Sequence, residues 1–392
     1  MNKVLILTDG KAGHENQSRA FARALGCEPV LLPVQFKSPL AKALSYLLDL
    51  FGILSIKVFK DFKVFNALKA PTDLKDPTDL NHLKDLNDPK DLNDLTDLKA
   101  VIGTGSGTFY AAKTIARRLG VPCGVVLYPR GYRLAGFDCI LAPSFDRPDS
   151  VPNVIPIPAN LVANDDAFYE AGVKAFRERY TPLDRPAVAV IVGGPNKCST
   201  LSADWMRSQL EQIFAKYKPT NPTPDTTNHE PRTANHEPRT TIHDPQTTNH
   251  EPRSTNHEIW VTTSRRTPPD VEAVVDSFPF DYKLLYSKDH FNPIPAFVSL
   301  ARVLYVTAES TGMLSEACTF GTAEVHALDN LKSGPHKFRR FIDDLTSAGH
   351  LDGARKIDLS EQFAKAKELL GIKELSDRAS ERTRNERVHE HR

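Results

Sequence analysis

The chain has 392 residues, more than one usual domain carries, and 40% of them are hydrophobic, so two folded cores are expected. Its net charge of +1 offers no global field for nucleic acid, and the opening MNKVLILTDG turns polar too soon for a secretory leader. The five cysteines (Cys27, Cys123, Cys139, Cys198 and Cys318) form neither a CxxC nor a disulfide-like spacing, which fits a reducing cytoplasm.

Val4–Leu7 reads as a short buried strand running into Thr8-Asp9-Gly10, followed by a helix from about Asn16 to Leu25 with Asn16 as its cap. Leu40 to Phe59 is apolar but interrupted by Lys42, Asp49 and Lys57. It is too charged and too short to span a bilayer. Two readings stay open: a partly buried helix, or a helix resting on a membrane surface with Lys37, Lys60 and Lys63 around it. Residues 71–99 then repeat Asp-Leu at six-residue spacing, as an insert in a surface loop. Ala100–Ile102 is the next strand, Thr108 to Leu119 a helix, and Gly124–Leu127 and Cys139–Leu141 further strands.

A boundary is expected where Pro156, Pro158, Pro182 and Pro186 cluster. Beyond it come a strand at Ala187–Val192, a helix from Ser202 to Lys216, and a strand at Ile259–Thr262. A helix at Val271–Ser277 follows, then strands at Leu284–Tyr286 and Val303–Val306, a helix from Thr311 to Phe320, and a strand at Glu324–Ala327. From Phe338 the chain is expected to be helical. Between helix and strand, residues 219–257 hold degenerate copies of Asn-His-Glu-Pro-Arg-Thr-Thr, which have no apolar seam and carry helix-breaking proline. A disordered insert is expected; its histidines leave a metal-binding alternative open. Strand–helix alternation outside the repeats predicts an α/β protein of two Rossmann-like domains with parallel sheets facing across a cleft. The expected division is 1–165, 183–375 and a charged tail at 376–392.

Ligands of open parallel sheets bind at strand carboxyl ends. Four such ends carry glycine or small polar residues. In the first, Gly10, Lys11, Gly13, Glu15 and Asn16 surround a helix start fit for an anion or acceptor, and Asp9, His14 or Glu15 could each serve as general base. Lys11 is not followed by Ser or Thr, so this is no P-loop. In the second, Gly103, Gly105 and Ser106 make a phosphate- or acceptor-binding nest plausible. In the third, Gly193 and Gly194 with Lys197 suit a donor diphosphate. The fourth pairs Ser264 and Arg265, with Arg266 either at the site or a solvated surface charge, with Ser310-Thr311 as helix caps, then Ser315 and Glu316; Glu316 suits a ribose diol. His336, Lys337, Arg339 and Arg340 form a late basic cluster that faces either the cleft or solvent. No paired carboxylates stand at a strand end, so no required metal or cofactor is expected.

The segments TDGKAGHENQ, GTGSGT, GGPNK, TTSRRTPP, TAESTGMLSEA and KFRRF, in that order, resemble the mitochondrial-fission family named for an elongated-mitochondria phenotype. Its members are described as GT-B type glycosyltransferases, and the resemblance covers nearly all of the chain outside the repeats. More distantly, the layout is similar to the UDP-N-acetylglucosamine transferases of cell-wall synthesis, although the first loop here reads DGKAGH rather than GGTGGH. That similarity implies His14 as catalytic base, Gly193, Gly194, Ser264, Arg265 and Ser310 around the donor phosphates and base, and Glu316 on the ribose. It implies a nucleotide-sugar substrate and, if Leu40–Phe59 meets a membrane, a lipid-linked acceptor at its inner face. The alternatives are a non-catalytic nucleotide-binding or scaffold protein on the same fold, and a nucleotide-sugar epimerase.

Overall fold

The computed structural model describes residues 2–60, 97–218 and 257–372. The expectations for both repeats and for the charged tail therefore lie outside the described residues, except at 97–99 and 257.

Two parallel sheets form, each wrapped by helices. The first is built from β1 (Lys3–Thr8), β2 (Glu28–Pro33), β3 (Leu98–Thr104), β4 (Cys123–Val126), β5 (Cys139–Pro143) and β6 (Val154–Ile157), in spatial order β2-β1-β3-β4-β5-β6. Its helices are α1 (Ala12–Ala24), α2 (Pro39–Leu50) and α3 (Phe109–Leu119). The second sheet holds β7 (Ala187–Ile191), β8 (Glu258–Thr262), β9 (Tyr282–Leu284), β10 (Val303–Thr307) and β11 (Glu324–Leu328), in order β11-β10-β7-β8-β9. Around it run α4 (Asp166–Arg177), α5 (Ala203–Tyr217), α6 (Pro269–Ser277), α7 (Ile294–Leu300), α8 (Thr311–Thr319) and α9 (Lys337–Ser347), and α10 (Ser360–Leu369) follows. Every ladder between these strands is parallel, as the alternation of the sequence predicts.

Each sheet is buried on both faces, which is why its central strands are continuous runs of Val, Ile, Leu and Ala. On the first sheet, Leu5, Leu7, Val101 and Val125 pack under α3, and Val4, Ile6, Ala100, Ile102 and Leu141 pack under α1. On the second, Val188, Val190, Ile259 and Val261 lie against α5 and α6, while Ala189, Ile191, Trp260, Leu304 and Val306 face the other side.

The proline-rich stretch between the sheets is not a plain linker. Asp165 caps α4 by accepting from the Phe168 N–H at 3.0 Å, and α4 buries Tyr169 and Phe176 on the second sheet. The last helix goes the other way. Although it follows the second sheet in sequence, α10 places Ala366, with Leu370 and Ile372 just beyond it, in the cluster that covers the first sheet. Packing thus crosses the sequence division at both ends of the second half.

Several boundaries differ from expectation. Helix α1 starts at Ala12 rather than near Asn16, so Asn16 lies inside it and caps nothing; Lys11 stands at the N-cap without a side-chain cap bond. Gly10, at φ +77°, makes the tight turn that lets the helix begin so soon after β1. The third strand of the second sheet is Tyr282–Leu284 instead of Leu284–Tyr286. The stretch after 336 is helical as expected, in two helices, α9 and α10. Among the described residues no helix is long and apolar enough to cross a membrane.

Candidate functional site

Both strand orders reverse once. In the first sheet the reversal lies between β1 and β3; in the second, between β7 and β10. Crevices open at the carboxyl ends of strands at such switch points. The loops that carry the chemistry are the ones leaving these four strands.

After β1, Asp9 turns back over the start of α1. Both its oxygens stand 3.1 Å from His14 Nδ1, and Oδ2 pairs with Lys11 Nζ at 3.1 Å. A carboxylate only accepts, so the pairing puts the imidazole proton on Nδ1 and leaves Nε2 as an acceptor. Burial alone would oppose ionisation of Asp9, yet the bond from Lys11 and the nearby His14 outweigh it and hold the carboxyl below its ordinary value.

The glycines after β3 exist for this pair. A Cβ on Gly105 would stand 2.7 Å from His14 Nδ1, and one on Gly107 would stand 2.6 Å from Asp9 Oδ2. Gly105 also has φ +80°, which favours glycine. Gly103 is pressed on Thr108, where a Cβ would meet Oγ1 at 2.8 Å. The GTGSGT segment is therefore a close-fitting wall behind Asp9 and His14, a role that alternating glycine alone does not announce. Ser106 accepts from Lys42 Nζ of α2 at 2.9 Å, and Glu15 is engaged by Thr8 at 3.2 Å and Arg19 at 2.9 Å.

In the second half, a buried carboxylate organises the loops. Glu309 Oε1 accepts from the Gly194 N–H at 2.8 Å and from the Thr307 hydroxyl at 3.0 Å, and Oε2 accepts from Asn330 Nδ2 at 2.7 Å. Gly193 N–H donates to Thr307 Oγ1 at 2.9 Å. Both loop N–H groups expected to face a diphosphate are thus engaged within the protein. The glycines are required because a Cβ on Gly193 would stand 2.9 Å from Thr307 Oγ1, and one on Gly194 would collide with the Arg266 backbone.

At the start of α8 the expected hydroxyl cap is absent: Ser310 stands at the N-cap without a side-chain cap bond. The first N–H groups of a helix have no partners within it, so Thr311, Gly312 and Met313 leave donors at this end. Further along α8, Ser315 donates to Thr311 O at 2.6 Å and accepts from the Asn160 N–H at 3.1 Å, joining the helix to the segment between the sheets. Glu316 Oε1 accepts from Tyr169 Oη at 3.0 Å and Asn164 Nδ2 at 3.1 Å. Burial raises the Glu316 carboxyl above its ordinary value, and these two bonds only partly offset that.

These loops meet in one cleft of about 920 Å³. From the first half Gly13, His14 and Asn16 line it; from the second, Lys197, Ser310 and Glu316. The same wall includes Arg266, and also Glu309, which sequence reasoning passed over, together with Asn160, Asn164 and Phe338. Arg265 and Arg266 are both exposed, and of the two it is Arg266 that lines the cleft. Ser264 serves the turn after β8: its N–H donates to Thr267 Oγ1 at 2.8 Å and its Oγ accepts from Arg266 N. Asp9, Gly10, Lys11, Glu15, Gly103, Gly105, Ser106, Gly193, Gly194 and Ser315 do not line the cleft.

The late basic cluster is largely structural. His336 caps α9, Arg339 forms two bonds to Asp329 at 2.7 and 3.0 Å, and Arg340 Nε donates to Phe145 O at 2.9 Å. Phe145 and Phe341 meet edge to face at 5.0 Å, so this end of α9 holds the two halves together. Among the described residues no group of three or more His, Cys, Asp or Glu is gathered as a metal site requires.

A family model described as Mitochondrial fission ELM1 matches residues 12–222 and 235–371. No curated protein matches the sequence significantly. Solved structures similar to this chain include a Staphylococcus aureus MnaA–UDP complex (13% identity, 94% of this chain and 88% of that one, TM-score 0.41). Acinetobacter baumannii MurG is 15% identical over 95% and 92%, with a TM-score of 0.41. A Neisseria meningitidis UDP-GlcNAc 2-epimerase bound to UDP-GlcNAc is 13% identical over 94% and 98%, with a TM-score of 0.42. Likeness at that level adds nothing to what the two sheets themselves establish.

Proposed function

The chain belongs to the Mitochondrial fission ELM1 family, and we propose that it is a glycosyltransferase, moving a sugar from a nucleotide-sugar to an acceptor hydroxyl. The observation that carries this reading is the shared cleft. It joins a carboxylate-oriented histidine from one half to a cationic, helix-ended wall from the other.

In this reading the nucleotide occupies the second half. Glu316 takes the ribose diol: its two protein bonds both fall on Oε1, so Oε2 remains for a ligand. Lys197, Arg266 and the free N–H groups at the start of α8 face the diphosphate and stabilise the charge that builds on it as the sugar–phosphate bond breaks. Glu309 acts behind them, holding the loop after β7 in place. The acceptor hydroxyl lies against the first half, where His14 Nε2 removes its proton as the new glycosidic bond forms. Asp9 keeps the ring oriented and stabilises the imidazolium that results. This chemistry calls on no metal or cofactor, and the acceptor is lipid-linked at a membrane on whose surface the protein works.

A thermal-shift panel with UDP, GDP, ADP, CMP and their sugar conjugates tests it. A nucleotide at about 100 times its dissociation constant stabilises the fold by about 2.7 kcal/mol. A clear shift with one base supports the donor assignment; no shift with any leaves a scaffold on the same fold as the better reading.

A further inference from the structure

The inward face of helix α2 mixes apolar and polar contacts: Ala41, Tyr46 and Leu48 pack on the first core, Ser45 Oγ and Tyr132 Oη are 3.0 Å apart, and Asp49 pairs with Lys113 Nζ at 2.8 Å while its other oxygen accepts from the Arg133 N–H at 2.6 Å. Asp49 and Lys113 are each only 3% exposed. The outward face is apolar. Leu40, Leu44, Leu47 and Phe51 follow one another at helical spacing along it, with Leu50 and Ile53 beside them, and Leu40 and Phe51 are 79% and 70% exposed. Among the described residues, most of the exposed large hydrophobic side chains lie in this one short stretch. The outward face of a surface helix is ordinarily polar, and here it carries the apolar stripe instead.

Within the described stretch 37–60 the only acid is Asp49, which is buried, whereas Lys57 and Lys60 are exposed. The lobe is fixed at its root, where Phe36 and Phe59 pair across an isolated bridge with their rings 4.8 Å apart. It also adjoins the cleft machinery: Lys42 of α2 donates to Ser106, which lies between the two glycines that wall in His14 and Asp9.

We propose that the outward face of α2, with its lysine rim, docks on an anionic lipid bilayer. An apolar stripe that enters the headgroup boundary and a basic rim that meets acidic headgroups are the two components such attachment needs. This deepens the proposed function by naming where its acceptor is met; the docking itself does not depend on sugar transfer.

The full chain is sedimented with vesicles of equal parts phosphatidylcholine and phosphatidylglycerol, and with vesicles of phosphatidylcholine alone. Wild type should pellet with the first and at least about tenfold less with the second. The triple variant Leu44→Ser, Leu47→Ser, Leu50→Ser should lose at least about tenfold in partitioning while keeping its melting temperature, because those side chains are exposed. Lys57→Glu with Lys60→Glu should weaken binding to the acidic vesicles only. Equal binding to both vesicle types, or a triple variant that binds as wild type does, overturns the proposal. So does a wild type left in the supernatant, including the case in which deleting residues 61–96 uncovers binding, and so does a wild-type dimer that the leucine substitutions dissociate. The nucleotide thermal shift is measured on the same wild-type sample: a shift without vesicle binding refutes the docking face alone, and vesicle binding without a shift refutes the donor assignment alone.

Discussion

Glu316→Gln separates nucleotide binding from folding. The amide keeps an oxygen for Tyr169 and Asn164, which now both donate to Oε1, and keeps the side-chain volume. Burial raises the Glu316 carboxyl, so in the folded state its ionised form is disfavoured. For such an acid the folded protein holds its proton to higher pH than the unfolded chain does. Stability therefore falls as pH rises from the ordinary carboxyl range through the raised folded value. Above that window the neutral amide should leave stability equal or slightly higher, and the wild type should regain ground on the variant as pH drops through it. Binding should behave differently. A hydrogen bond to a charged group contributes about 1.5–3 kcal/mol, so a ribose that loses the carboxylate should bind about 10- to 150-fold more weakly. Isothermal titration with the nucleotide giving the largest thermal shift, beside a melting curve, reads both quantities. Unchanged affinity refutes Glu316 as the ribose acceptor. A weakened affinity with a melting temperature lowered in proportion shows that the carboxylate supports α8 instead.

Asp9→Asn should leave nucleotide affinity unchanged and lower nucleotide release from the sugar donor by on the order of 100-fold or more, since an amide no longer fixes the Nδ1 proton. Because the Asp9 carboxyl is held low in the fold, its contribution to stability is present above its ordinary value and lost as pH falls below it, so wild-type and Asp9→Asn melting curves should converge in acid. Gly105→Ala places a Cβ against the His14 ring at φ +80° and should cost about 1–2 kcal/mol in backbone strain alone, a melting temperature lower by roughly 2–8 °C. A melt unchanged within error counts against the close-fitting wall. Deleting 221–256 should shift the melt by less than about 2 °C, because the His257 N–H already donates to Tyr217 O at 3.4 Å and the flanking ends need no bridge. A large loss means the segment carries packing.

The central strands were legible because burial on both faces leaves unbroken apolar runs, as in Ala187–Ile191. Two strands escaped notice for a common reason. Glu28–Pro33 and Val154–Ile157 contain prolines, which read as breakers, yet each is an edge strand, where a missing N–H is tolerated. Helix α4 was hidden in the same way by the prolines around it. The early start of α1 was obscured by Gly13, a poor helix former that tertiary context overrides. At the site, sequence located the four strand ends but not the division of labour within them. Whether Gly194 faces a ligand or Glu309, and whether Arg265 or its neighbour lines the cleft, depends on contacts between loops that are far apart in sequence. Glu309 looked like one more polar residue in a loop. Its only sequence signal was its place directly after a buried strand at the switch point.

The return of α10 to the first sheet has a consequence for biosynthesis. The half that leaves the ribosome first is completed by residues that follow the whole second sheet. Until Ala366 and Leu370 arrive, Val4, Ile6 and Leu141 lack part of their cover, so a nascent chain carries an exposed apolar face through the synthesis of the entire second half. A stop codon near residue 358 would therefore damage the opposite end of the protein, and residues 1–165 produced alone would be sticky rather than a free-standing unit.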